Sequence, residues 1–191
     1  MVQTYRRSDT NLFGEMLDAA KVGDDSAWES LYRGLAGSVT GYLASRGAKD
    51  PEDLAGEVFL QVARDIHRFE GNESSLRSWV FVIAHRRLID ARRAENRRPA
   101  LASSVEVSSD DILGGDVEAE AIDQLALTRL HEILDSLTEN QRDVLALRVV
   151  ADLSLEETAK VMGKRVGAIK AVQRRALLAL RDQIEQGRVT L

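Results

Sequence analysis

Asp53, Glu57 and Gln61 recur every four residues along DPEDLAGEVFLQVAR, which puts two carboxylates and an amide on one face of any helix formed there. Such a row has two readings. Paired carboxylates can hold a divalent metal for nuclease work, and a polar row opposite an apolar stripe is also what the solvated face of a surface helix looks like. Two other stretches carry the opposite charge. Residues 77–98 hold seven arginines (77, 86, 87, 92, 93, 97 and 98) against Asp90 and Glu95, and residues 164–175 hold Lys164, Arg165, Lys170, Arg174 and Arg175 with no acid. Each is a local +5 in a chain whose net charge is −5, and such clusters supply the positive potential that binding a polyanion requires. Between them, residues 101–120 hold six acids (Glu106, Asp110, Asp111, Asp116, Glu118, Glu120) and no base.

Helices must position these residues. The 191 residues include only 13 Gly and 2 Pro and few β-branched clusters between turn signals, so the fold class is all-α, with length for one ordinary domain or two small ones. The stripe Leu54, Val58, Val62 and Ile66 backs the acidic row, and Asp50 as N-cap with Pro51 at the first helical position sets where that helix begins. Ser75 is the expected cap of a second helix, LRSWVFVIAHRRLIDARRAENRR, whose Trp79, Val80, Ile83, Arg87 and Ala91 trace a mostly apolar stripe ending in arginines. Its spacing with Ile83 assigns Trp79 to the core. From Pro99 to about Gly115 the periodicity stops and Ser, Asp and Gly accumulate, the composition of a linker.

Beyond it, Thr138 with Gln141 and Ser154 with Glu157 are spaced as capping boxes. The stretch LSLEETAKVMGKRVGAIKAVQRRALLAL then has the form of a helix-turn-helix: Ala159 is small where the helices cross, Gly163 can take the left-handed conformation that ends the first, and the second starts near Gly167. On that second helix Val166, Ile169, Val172, Ala176 and Leu180 gather on one side, with Lys170, Ala171, Arg174 and Arg175 on the other. A recognition helix needs this combination, because an apolar anchor holds it while arginines reach guanine edges and phosphates.

Several function classes drop out. With no Cys there is neither a disulfide nor a thiolate metal site, and His67, His85 and His131 are too scattered to form a ligand pair, so no metal or cofactor is expected and the histidines receive no role. No export signal or membrane-spanning run is visible, which points to a cytoplasmic protein without membrane insertion. No phosphate-binding loop or nucleophile motif is present, so an enzyme is not expected; a nuclease would have only Asp53 and Glu57 to offer. A helix-turn-helix repressor or activator is one reading these features allow, and it requires tight duplex binding by the chain alone.

LDSLTENQRDVLALRVVADLSLEETAKVMGKRVGAIKAVQRRALLALR resembles the fourth domain of bacterial sigma factors of the extracytoplasmic-function group, and DPEDLAGEVFLQVARDIHRFEGNESSLRSWVFVIAHRRLIDARRAENRR resembles their second domain. With the preceding helix the likeness runs from residue 12 to 185. It implies a tail at 1–11, a sigma-two helical bundle at 12–98, a flexible acidic linker at 99–117, a sigma-four helix-turn-helix domain at 118–186 and a tail at 187–191. The function it implies is binding to core RNA polymerase through the beta-prime clamp and beta subunits, reading of minus-ten and minus-thirty-five elements in promoter DNA, and help with melting, under control by an anti-sigma factor. On the resemblance, Asp53, Glu57 and Gln61 bind polymerase. Asn72, Glu73, Arg86, Arg87 and Asp90 read the minus-ten element; Arg165, Lys170, Ala171, Arg174 and Arg175 read the minus-thirty-five element. Gly56, Arg86, Ala168 and Val172 stand where the family more often has Gln, Asn, Thr and Arg. A linker of about 20 residues rests near 25 Å and extends to about 65 Å. The two elements lie more than one helical turn, about 34–36 Å, apart, so it must be drawn out.

Overall fold

The computed structural model describes residues 13–97 and 136–185. The expected tails, the linker at 99–117 and the start of the second block at 118–135 lie outside the described residues.

Each helix starts where the chain can satisfy or dispense with free amides. Residues 13–21 form α1. The Asp24 carboxylate accepts the Ala27 N–H at 2.8 Å and opens α2, Asp25–Ser45. Helix α3, Pro51–Asp65, has Asp50 at its N-cap position, but that side chain makes no capping bond. Its start rests instead on the fixed φ of Pro51 and on Glu52 and Asp53 in the first turn. A 3₁₀ turn, Ile66–Arg68, leads to α4, Glu73–Arg97. Ser75 is not the cap of α4: the Asn72 side-chain oxygen accepts the Ser75 N–H at 2.9 Å, so the helix begins about one turn earlier than expected. Asn caps at least as well as Ser, and it follows the turn at Gly71, which leaves Ser75 inside the first turn.

In the C-terminal half both capping boxes form. Thr138 and Gln141 open α5, Glu139–Leu145, which widens into a π-helical turn over Ala146–Val150. Ser154 and Glu157 open α6, Leu155–Met162, and Gly163 ends it with φ 62°. That left-handed conformation favours glycine. Helix α7, Val166–Glu185, starts one residue before the expected Gly167.

Helices α2, α3 and α4 close around Tyr42, Leu43, Val58, Phe81 and Leu88, all fully buried. Trp79 is half-buried against this core and stacks on Phe69 with ring centres 5.2 Å apart, as its spacing indicated. A smaller cluster of Val144, Ala159 and Ile169 holds α5, α6 and α7 together, and the small Ala159 lets α7 cross closely.

The two halves close on one another. Ala146, Leu147, Ala151, Leu153 and Val161 belong to the same continuous apolar cluster as the core of α1–α4. Contact is tight at Gly41, where a Cβ would lie 3.3 Å from Val150 Cγ1. Arg46 Nε donates to Asp143 Oδ1 at 2.6 Å, with the two side chains only 5% and 10% exposed. Arg77 donates to the Ala151 carbonyl at 2.7 Å, Ser74 Oγ donates to Glu157 Oε1 at 2.8 Å, and Arg92 reaches Glu139 at 3.3 Å and the Arg46 carbonyl.

Beside this seam the Tyr42 hydroxyl and His85 Nδ1 are hydrogen-bonded at 2.8 Å. Burial pushes the His85 pKa down; Asp143 opposes this, and Arg46 and Arg92 add to it. The folded chain therefore favours neutral imidazole more than the unfolded chain does, whose histidine titrates near 6.5. That stability is present above the unfolded value and declines as pH falls below it. Thermal melting is expected at lower temperature at about pH 5.5 than at about 7.5, with His85→Gln flattening the dependence in that window. An unchanged slope in the variant would assign the pH dependence to other groups.

Candidate nucleic-acid interface

Helix α7 presents what contact with a groove requires. Ile169 and Ala176 are fully buried and Val172 half-buried on its inner side, while Lys170, Ala171, Arg174 and Arg175 are exposed on the other. Arg165, also exposed, precedes the helix, and its carbonyl accepts the Ala168 N–H at 2.9 Å and the Ile169 N–H at 3.2 Å. None of these four cations pairs with a carboxylate among the described residues, so their charge faces solvent. Two hydrogen-bonded capping boxes and a glycine-ended α6 set the angle from which this face projects.

On the N-terminal half the expected residues do not form one surface. Asp53 and Glu57 are exposed on α3 and Gln61 is half-buried. Asn72 is engaged through its side-chain oxygen as the α4 cap, and Glu73 is the exposed first residue of that helix. Arg86 and Asp90 are exposed one turn apart on α4, with Arg93 3.6 Å from the Asp90 carboxylate. Arg87 turns instead toward α3: Nη1 donates to Glu57 Oε2 at 3.0 Å and Nη2 to Gln61 Oε1 at 3.2 Å. The structure thus joins residues that the resemblance divides between polymerase and DNA. An exposed ion pair of this kind stabilises by about 0–1 kcal/mol, little enough to be exchanged for a partner's charge.

Residues 27–98 match the family model for Sigma-70 region 2, and residues 133–182 match that for Sigma-70, region 4. Over 192 aligned residues the chain is 31% identical to the ECF RNA polymerase sigma factor ShbA of Streptomyces griseus, covering 95% of this chain and 100% of the relative. The chain belongs to the ECF sigma factor family. Its fold is similar to that of CnrH in complex with the cytosolic domain of CnrY, with a TM-score of 0.67, 20% identity, and coverage of 91% of this chain and 97% of that one. It is also similar to the sigma factor RpoE in complex with the anti-sigma factor NepR from Bartonella quintana, with a TM-score of 0.61, 19% identity, and coverage of 82% and 96%.

Sequence reasoning did not find the residues that hold the halves of this ECF sigma factor together. Arg46 and Asp143 are 97 positions apart, and each reads locally as an ordinary surface charge. Among the described residues of the sigma factor, no three His, Cys, Asp or Glu side chains converge to hold a metal ion, and no helix is long and apolar enough to cross a membrane.

Proposed function

We propose that this sigma factor divides its work among three surfaces. Asp53, Glu57 and Gln61 dock on the beta-prime clamp of core RNA polymerase. The α4 face around Arg86 and Asp90, with the Asn72–Glu73 turn, reads the minus-ten element and assists melting. Helix α7 reads the minus-thirty-five element through Arg165, Lys170, Ala171, Arg174 and Arg175. The observation that carries this reading is the exposed, uncompensated basic face of α7 on a doubly capped helix-turn-helix, in the same chain as an exposed acidic row. The chain supplies no catalytic group of its own; RNA synthesis is polymerase's chemistry, and the work takes place on DNA in the cytoplasm. A separate anti-sigma factor, such as the one named with the RpoE structure, is the expected controlling partner.

Run-off transcription with core polymerase tests this. Arg174→Ala is expected to weaken initiation about 5- to 150-fold on templates that depend on the upstream element, equivalent to about 1–3 kcal/mol for a bidentate base contact, and little on templates that do not. Equal loss on every template would reduce Arg174 to a phosphate contact. Tight, sequence-specific duplex binding without polymerase would favour the repressor or activator reading instead.

A further inference from the structure

His85 belongs to none of the three surfaces assigned to polymerase and DNA, yet it stands where the halves meet. It projects from α4 and is only 8% exposed, with Nδ1 held 2.8 Å from the hydroxyl of the fully buried Tyr42 on α2. The ring also lines a cleft of about 640 Å³ between the halves, walled on the far side by Asn140 and Asp143 of α5, Met162 at the end of α6 and Lys164 in the turn before α7. The imidazole is thus withdrawn from bulk water while protons still have a path to it.

The charges facing the ring are predominantly positive. Arg46 comes from α2, Arg92 from α4 itself and Lys164 from the α6–α7 turn, and all three oppose a charged imidazole. Asp143 of α5 favours it, but that carboxylate already accepts from Arg46 at 2.6 Å. Arg93 and Glu95 of α4 and Glu139 of α5 line the same cleft, Glu139 being paired with Arg92 at 3.3 Å. Burial of the ring is the largest influence of all and acts in the same direction as the three cations. The hydrogen bond to Tyr42 adds a constraint of its own. Burial, and after it the nearby Asp143, pushes the phenol pKa up, so the hydroxyl keeps its hydrogen and can donate it to Nδ1 of a neutral ring. An imidazolium carries hydrogen on both nitrogens, and Nδ1–H would then meet a hydroxyl whose hydrogen has to turn away into the packed core. Closure of the halves is therefore built around the neutral ring.

We propose that His85 is a pH-sensitive latch between the halves: neutral, it lets α5 and the α6–α7 turn close on α4; protonated, it shifts them toward separation while each half stays folded. The sign follows from linkage. A parted chain exposes the ring to water and lets it titrate near the ordinary 6.5, whereas the closed chain resists the proton, so closure is favoured above that value and lost as pH falls below it. One proton sets the size: the ratio of parted to closed chains rises by no more than about tenfold between about pH 7.5 and 5.5. The consequence for promoters rests on the sigma-factor reading, in which parted halves reach separate elements; the latch itself does not.

The test uses the full chain carrying Ser30→Cys and Asp182→Cys, exposed positions on opposite halves, labelled with a donor and an acceptor dye that are themselves insensitive to pH. The chain has no native cysteine, so labelling is confined to these two. Energy transfer is read from about pH 7.5 to about 5.5 at constant ionic strength, with circular dichroism in parallel. The ratio of parted to closed chains is expected to rise about tenfold at unchanged helicity, and His85→Gln to be flat across the window. Lys164→Met, at an exposed side chain, removes one cation facing the ring and is expected to reduce the rise. No change in transfer overturns the proposal, as does an equal change in His85→Gln, or a change that appears only with loss of helicity. Should His85→Gln fail to fold, Lys164→Met decides, and an undiminished response there overturns the latch. Polymerase is absent, so failure of the chain to associate with it would overturn the docking assignment and leave these outcomes untouched.

Discussion

Oxidation of a chain carrying Gly41→Cys and Val150→Cys is expected to abolish promoter-directed initiation, and a reductant to restore it. A Cβ at position 41 lies 3.3 Å from Val150 Cγ1, which is compatible with the Cβ separation of about 3.5–4.5 Å that a disulfide requires. The chain has no native cysteine, so no other disulfide competes. In the closed arrangement Arg46 and Asp143 touch at 2.6 Å, whereas the two promoter elements are separated by more than one helical turn, about 34–36 Å. On the proposed reading, in which a drawn-out linker carries each half to its own element, the halves part. A disulfide between positions 41 and 150 tethers the two halves at the seam for as long as it stays oxidised. Initiation in run-off assays should fall on oxidation to the level of core polymerase alone. Each single-cysteine chain should be indifferent to redox state. Full activity of the oxidised double variant would mean that the closed chain itself engages promoters.

The second large effect is expected at the acidic face of α3. Replacing Asp53 and Glu57 by Lys changes the charge of that face by four and sets like charges against a basic partner, a juxtaposition that costs several kcal/mol. Association with core polymerase should weaken at least about a hundredfold in a pull-down or sedimentation assay. Both side chains are exposed, so the fold should survive: circular dichroism is expected to be unchanged apart from a loss of about 0.3–1 kcal/mol at the start of α3, where Asp53 complements the helix dipole. Arg87 also loses its partner Glu57, a change of at most about 1 kcal/mol for an exposed pair. Undiminished association would remove Asp53 and Glu57 from the docking surface.

Features governed by neighbours in sequence were legible before the structure. The capping boxes at Thr138 and Ser154, the left-handed Gly163 and the two faces of α7 all follow from side chains within a few residues of one another. Where two local solutions competed, sequence was less decisive. Asn72 and Ser75 are both good N-caps, and the choice fell to Asn72 beside the turn at Gly71. Arg87 shows a different limit. Its helical position sets it on the inward stripe of α4 while the resemblance assigns it to DNA, and only the placement of Glu57 and Gln61 on the adjoining helix shows what its guanidinium meets. The seam between the halves was not legible at all, because its pairs join distant segments whose charges look like solvated ones in isolation.

Glu157 gives the motion between the halves a particular character. One of its oxygens takes the Ser154 N–H at 2.6 Å within the C-terminal half, and the other takes the Ser74 hydroxyl at 2.8 Å across the seam. Separation severs the second bond and leaves the first, so α6 keeps its cap and the helix-turn-helix swings away already assembled. On this reading the helicity of the described residues is expected to be the same before and after, and far-ultraviolet spectra to be blind to the event. Intramolecular distance is the coordinate along which this transition must be followed.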